Sequence, residues 1–532
     1  MLWLLLVFGL IIAIFLFITL KQFRYWSSKG VKQSSIFQLW VDNIKIIFQL
    51  VSPAEHTVEL NKRFTSERFA GSCYYFQPLL LLRDPEMIKQ IAIKDFENFI
   101  DRIQFLRDDI EPLWSKSIFL LRGDEWKAMR ATLSPSFTSS KMKGMFGLIK
   151  ECAENFVKFY EDRRSAAESV DVKDAFARYA SDVIASAAFG VTCNSLEEPN
   201  NEFYLMGKQA TDLSGFWKNI SIIFVSFFPK LAKPLGLRLL PAKCDRFFRK
   251  VMKENMEDRE RNGIIRPDMI HLLMEARKGK LKHDEGREVN TGFATIEESA
   301  IGKEEKLQNL HLTDEIITAQ ALIFFFAGFD SSSTLMSFLS YELAVNPDIQ
   351  KRLHREVDDT LEQCNGSVTY EALFKMKYLD MVVSETLRKW PTITAIDRLC
   401  VKPYTIVPTK DGEEPVHLEE GDLVWFPMYA LHRDPKYYPE PERFDPERFS
   451  DENKSKIVPY SYFPFGVGPR SCIGNRFALL ETKLLFFILL SKFELTVVEK
   501  TDIPLPLCKK QFSLAASNGI WVGFHSRRKE LD

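Results

Sequence analysis

The chain has 532 residues, with 71 lysines and arginines against 72 aspartates and glutamates, and this balance gives no global support to nucleic-acid binding. The eight cysteines, at 73, 152, 193, 244, 364, 400, 472 and 508, form no C-x-x-C pair. That argues against a zinc module or a secreted disulfide framework, and for a reducing compartment. The 44 phenylalanines are the unusual count and point to apolar pockets or membrane contact as well as core.

Residues 2–20 carry no charge and are long enough as a helix to cross a bilayer; Lys21, Arg24, Lys29 and Lys32 follow at once. With no basic start and no small-residue cleavage site, residues 1–20 read as an uncleaved anchor, and the positive flank places the rest of the chain in the cytosol. Residues 21–52 read as a linker or an amphipathic approach, with a helix through Ile36–Trp40 as an alternative. No proline occurs before Pro53.

A helical segment then ends in Gly123-Asp124-Glu125-Trp126-Lys127-Ala128-Met129-Arg130, which sets Trp126 and Arg130 on one face. An indole N–H and a guanidinium aimed the same way suit a dianion; an exposed arginine over an exposed tryptophan is the plainer reading. Residues 215–241 are rich in large apolar side chains, but Pro229, Pro234 and Pro241 cut them into pieces too short to span a membrane. They are core or an interfacial surface, and the anchor favours shallow membrane contact. The polar run 278–306 reads as a mobile loop.

From Leu312 to Val345 the pattern predicts one long helix, opened by Thr313-Asp314-Glu315 and stopped by Asn346-Pro347. Its middle, Ala327-Gly328-Phe329-Asp330-Ser331-Ser332-Ser333, is poorly helical, each glycine or serine costing ~0.5–1 kcal/mol against alanine. A kinked core helix explains Gly328 but not the charge of Asp330; a cavity needing backbone access explains both. Glu385 and Arg388 follow three apart on a helix. Residues 404–407 and 422–426 bracket a Lys410-Asp411-Gly412 turn and predict a small sheet.

Near the C-terminus comes Phe465-Gly466-Val467-Gly468-Pro469-Arg470-Ser471-Cys472-Ile473-Gly474. A cysteine framed by glycines reads as a sulfur at a loop end where backbone can approach a flat partner, with Gly468 and Gly474 leaving out side chains where that partner lies. A thiolate needs N–H donors, a cation or a metal, and the helical pattern from Asn475 adds a positive helix end. The bland alternative is a buried structural cysteine in a glycine-rich turn.

Phe465, Gly468, Arg470, Cys472 and Gly474 match, in register, the Phe-x-x-Gly-x-Arg-x-Cys-x-Gly signature, and here the chain resembles the cytochrome P450 superfamily. Trp126-x-x-x-Arg130, Asp330-Ser331 and Glu385-x-x-Arg388 resemble further motifs in the same order, so the resemblance covers residues 53–532. The stretch Leu133–Met142 is similar to insect microsomal members of the xenobiotic-metabolising clan, close to the family numbered nine. The implied fold is mostly α with minor β: a single large helical domain with small sheets behind an N-terminal transmembrane anchor.

The resemblance implies heme b (iron protoporphyrin IX), with Cys472 as the axial thiolate and metal ligand. It assigns Trp126, Arg130, Arg398, Phe465 and Arg470 to binding that cofactor, the polar ones through its propionates. Asp330 and Ser331 correspond to the acid and alcohol that deliver protons, Ser331 standing where most members have threonine. Glu385 and Arg388 form a structural ion pair completed by an arginine of Pro-x-Arg-Phe; Arg443 and Arg448 both qualify, and spacing favours Arg448. Phe105, Phe216, Phe324, Ala327, Ile393 and Ile396 are the expected substrate pocket, and 215–241 falls in the lid over its channel.

The implied reaction inserts one oxygen atom from O₂ into a lipophilic substrate such as an insecticide, plant toxin, lipid or hormone. No flavin or nicotinamide signature is present, so the resemblance names NADPH–cytochrome P450 reductase as electron donor, with cytochrome b5 as an optional second, at the endoplasmic-reticulum membrane. Two alternatives are a haem-thiolate isomerase or dehydratase needing no reductase, and a non-catalytic lipophile-binding haem protein.

Overall fold

The computed structural model describes residues 16–104, 106, 110–279, 291–295, 312–409, 412–511 and 513–527. Most of the expected anchor, Phe105, most of the polar run 278–306, and Lys410 and Asp411 therefore lie outside the described residues.

The core is organised around one helix. Among the described residues, the helices that matter to the site are α1 (Ile36–Ile47), α2 (Gly123–Leu133), α3 (Ser139–Asp162), α4 (Val172–Ala187), α5 (Glu202–Thr211), α6 (Phe216–Phe227), α7 (Asp314–Val345), α8 (Lys377–Lys389) and α9 (Asn475–Lys492). Thr313 caps α7 by accepting a hydrogen bond from the Ile316 N–H, satisfying one of the free donors of the first turn. Among the described residues α7 alone is long and apolar enough to cross a membrane, yet 67% of its most apolar window is buried in the protein, which makes it a core helix.

Helix α7 runs without interruption through Gly328 and the serines. The hydroxyls of Ser331, Ser333 and Ser337 donate to the carbonyls of Ala327, Phe329 and Ser333, so the polar side chains satisfy themselves on the helix backbone. A Cβ on Gly328 would stand 2.8 Å from Ile184 Cδ1, so the missing side chain lets α4 press against α7.

A four-stranded sheet runs in the order β1 (Phe69–Tyr74), β2 (Gln77–Leu82), β7 (Leu423–Phe426), β4 (Ile396–Leu399), with β2 and β7 parallel and the other pairs antiparallel. A second sheet joins β3 (Val170–Asp171), β9 (Trp521–Ser526) and β8 (Phe493–Thr496). A hairpin pairs β5 (Tyr404–Ile406) with β6 (Val416–Leu418). This corrects the expected single small sheet: 404–407 closes locally on β6, a three-residue strand too short to show a period, while 422–426 joins the larger sheet instead.

Residues 21–52 do not stand off from the domain. Trp26 is buried, the Tyr25 hydroxyl donates to Asp422 at 2.5 Å, and Gln33 bridges to Gly71 of β1.

Candidate functional site

The cysteine loop is held by its own backbone. The Cys472 N–H donates to the Phe465 carbonyl at 2.8 Å, and Gly466 (φ +83°) and Gly468 (φ +71°) adopt left-handed conformations that other residues rarely take. From outside, Arg130 of α2 donates to the Ser471 carbonyl at 2.9 Å, and the Asn475 side chain donates to the Cys472 carbonyl at 2.9 Å. Helix α9 begins at Asn475, directly after its N-cap Gly474, so the positive end of its dipole lies beside the sulfur.

Cys472 is accessible to small molecules yet lies deep in the protein, because the surface it exposes faces an internal cavity of about 1160 Å³. Burial pushes its thiol up, while the Gly474 N–H and the charges of Arg130 and Arg102 pull it down. Phe465, Gly466 and Gly474 line the same cavity. Gly468 does not, which corrects its expected role: a Cβ there would stand 2.0 Å from the Ala92 carbonyl oxygen, so that glycine serves backbone packing.

Beside the loop lies a surplus of positive charge. Among the described residues, Arg102, Arg122, Arg398 and Arg470 are set against two carboxylates, Asp101 and Asp397. Burial, then the other arginines, pushes Arg398 down to about 9 and Arg470 to about 8. A guanidinium does not give up its proton in a protein, so these shifts register uncompensated charge that a bound dianion relieves. The Nε atoms of Arg122 and Arg398 are buried without a partner among the described residues.

The individual placements differ from the sequence reading. Arg470 donates to the carbonyls of Ile100 (2.8 Å) and Leu121 (2.7 Å) and stacks on Trp126, its guanidinium 4.1 Å from the ring centroid. Trp126, Arg130, Arg398 and Arg470 do not line the cavity; Arg102 and Arg122 do. Neither of those two lies in a recognisable motif, and only the fold brings them to the loop.

Across the cavity, Asp330 and Ser331 come from the middle of α7. Lys173 of α4 holds Asp330: its ammonium lies 3.0 Å from the carboxylate, 2.9 Å from Ser333 Oγ and 2.7 Å from Thr334 Oγ1. Burial acts to raise the Asp330 carboxyl, but Lys173 and a hydrogen bond from Ser513 overcome it and leave the group lowered, hence ionised. The sequence offers no local signal for Lys173.

Phe324, Ala327, Ile393 and Ile396 line the cavity, joined by Phe119, Phe137 and Phe326. Phe216 does not: it is 39% exposed and stacks on Phe48 of the N-terminal segment, with 6.0 Å between centroids. Away from the cavity, Arg388 grips Glu385 by two bonds of 2.7 and 2.9 Å and donates to the carbonyls of His432 and Pro441. Arg448 is the third member, 3.6 Å from Glu385, while Arg443 turns outward to Glu440.

A buried cysteine facing a large cavity, under an excess of guanidinium charge, fits a flat dianionic macrocycle with a metal at its centre, as a haem-thiolate site requires. The chain belongs to the cytochrome P450 family, whose model matches residues 44–522. It is 46% identical to Cytochrome P450 9e2 of Blattella germanica over 91% of this chain and 90% of that protein. It is 41% identical to Probable cytochrome P450 9f2 of Drosophila melanogaster over 86% of each, and 36% identical to Cytochrome P450 6k1 of Blattella germanica over 97% and 95%. The protein is thus a P450 monooxygenase that binds heme b and works with O₂, a substrate and a redox partner.

Proposed function

We propose that the protein oxidises lipophilic foreign compounds at the endoplasmic-reticulum membrane, taking electrons from NADPH–cytochrome P450 reductase, with cytochrome b5 as an optional second donor. The observation that carries this reading is one cavity lined by Cys472, by the Asp330-Ser331 pair and by apolar side chains that include Phe119, Phe137, Phe324 and Phe326. Bound haem supplies oxygen activation, favoured by electron donation from a thiolate.

The chain supplies the rest. Cys472 would hold the metal and Arg102, Arg122 and Arg398 would compensate the propionate charge, with Trp126 and Arg470 bracing the loop behind them. Phe324, Ala327, Ile393 and Ile396 hold the substrate by shape and apolar contact and exclude water. Ser331 Oγ, now donating to the Ala327 carbonyl at 2.5 Å, moves a proton toward the oxygen chemistry, and Asp330 relays it from the polar side marked by Lys173.

Membrane attachment is supported by exposed apolar groups on neighbouring elements: Phe37 (77% exposed), Phe48, Trp217 (79% exposed), Phe228, Leu231 and Leu235. The test is reduction under carbon monoxide, which gives an absorbance maximum near about 450 nm for sulfur ligation. Turnover with reductase, NADPH and a panel of lipophilic compounds follows by product mass. A Cys472→Ala variant that keeps the band, or no NADPH-dependent product from any compound, overturns the reading.

A further inference from the structure

Residues 291–295, inside the polar run that the sequence presents as a loop, are docked on the protein. Thr291 and Ala294 are buried, and the Thr295 N–H donates to the Gly292 carbonyl at 3.1 Å. Lys483 of α9, its side chain wholly buried, donates to the Thr291 carbonyl at 2.9 Å and to Asp380 of α8 at 2.7 Å. The other Asp380 oxygen accepts from the Phe293 N–H at 2.9 Å. At Gly292 (φ +127°) a Cβ would collide with the Asp380 carboxylate and the Lys483 ammonium, so the seat takes a glycine.

The Phe293 ring carries this contact toward the cysteine loop. It packs against Phe449 and Tyr462, with 5.1 and 5.5 Å between centroids. Tyr462 stacks on His432 at 5.4 Å, and His432 Nε2 accepts from the Phe463 N–H at 3.1 Å. Burial, then the charges of Arg388 and Arg433, pushes His432 down to about 3, so its ring is neutral and Nε2 can accept. The Phe463 carbonyl accepts from the Gly466 N–H at 2.8 Å, and the Phe465 carbonyl accepts from the Cys472 N–H. Every link from Phe293 to the turn before the cysteine is a direct contact.

We propose that Phe293 is a positioning residue for the Cys472 sulfur, its ring holding Tyr462 on His432 and so fixing the Phe463–Gly466 turn that presents the cysteine. Removing the ring leaves the backbone bonds of the seat and the Lys483–Asp380 pair in place, so the effect isolates the aromatic link. The inference rests on the haem-thiolate site described above, and Phe293 touches no reacting atom.

The test uses the full-length holoenzyme as wild type, Phe293→Ala, Phe293→Tyr and a control, Phe524→Leu, whose site packs on Tyr160 and Phe493 in the second sheet. Amide hydrogen exchange across residues 463–474 should quicken roughly 2- to 10-fold in Phe293→Ala, the worth of one aromatic pair. It should stay at the wild-type rate in Phe293→Tyr, which restores the ring, and in Phe524→Leu. The carbon monoxide band should be lost faster on mild warming in Phe293→Ala alone. Exchange across 463–474 that is unchanged in Phe293→Ala, or quickened equally in Phe524→Leu, overturns the proposal. Should Phe293→Ala fail to fold, Phe293→Leu, which keeps apolar volume without a ring, is judged by the same comparison. Exchange needs neither the band nor turnover, so a wild type without the band refutes the thiolate reading while exchange still decides the link from Phe293 to the loop.

Discussion

Substituting Gly468 by alanine separates two roles that a glycine beside a cofactor loop can play. At φ +71° an L-residue costs about 1–2 kcal/mol. The added Cβ would stand 2.0 Å from the Ala92 carbonyl oxygen, which is backbone and cannot swing aside, and such overpacking costs about 1–3 kcal/mol more. The total is about 2–5 kcal/mol. At roughly 2.1 cal/mol/K per residue over roughly 500 residues, that lowers Tm by about 2–5 °C. Gly474→Ala is the control, because its Cβ would meet only Phe137 Cε1 at 3.9 Å. Thermal unfolding of the holoprotein, together with the haem-to-protein ratio after purification, reads both effects. If Gly468→Ala loses haem while its Tm stays at the wild-type value, the packing argument is wrong.

Arg388→Leu leaves Glu385 buried without its bidentate partner and is expected to cost about 3–5 kcal/mol in chemical unfolding, with activity lost only as folded protein is lost. Ser331→Ala should raise peroxide release per NADPH consumed; unchanged coupling removes its hydroxyl from proton delivery. In Lys173→Met the Asp330 carboxyl keeps its burial and loses its cation, so its pKa rises. The paired Asp330 contributes stability that is present above its unfolded pKa and lost as pH falls through the lower folded one. The stability gap between wild type and Lys173→Met should therefore widen as pH rises from about 3 to about 6, and a constant gap in pH-dependent unfolding refutes the pairing.

The cysteine loop was legible because its five diagnostic residues sit at fixed spacing along the chain, so no tertiary knowledge was needed. Helix α7 was equally plain, from a capping threonine at one end to a proline stop at the other. The charges around the site were not. Arg102, Arg122 and Lys173 reach the cavity from separate elements, and nothing near them in sequence marks them. Phe216 misled for a related reason, since an aromatic residue at a helix start looks the same whether the fold turns it toward a cavity or toward Phe48. The three residues of β6 gave no period to read, and so the hairpin partner of β5 was missed.

Helix α6 contributes Asn219, Ile222, Ile223 and Ser226 to the cavity wall, and the same helix is fastened to the N-terminal segment by the Asn219 amide on the Ile47 carbonyl and by the Phe48–Phe216 stack. That wall of the cavity and the N-terminal segment are therefore mechanically one piece. Cutting the chain after residue 48 removes both fastenings, so ligand on-rates measured on the truncated protein are expected to differ from those of the full chain.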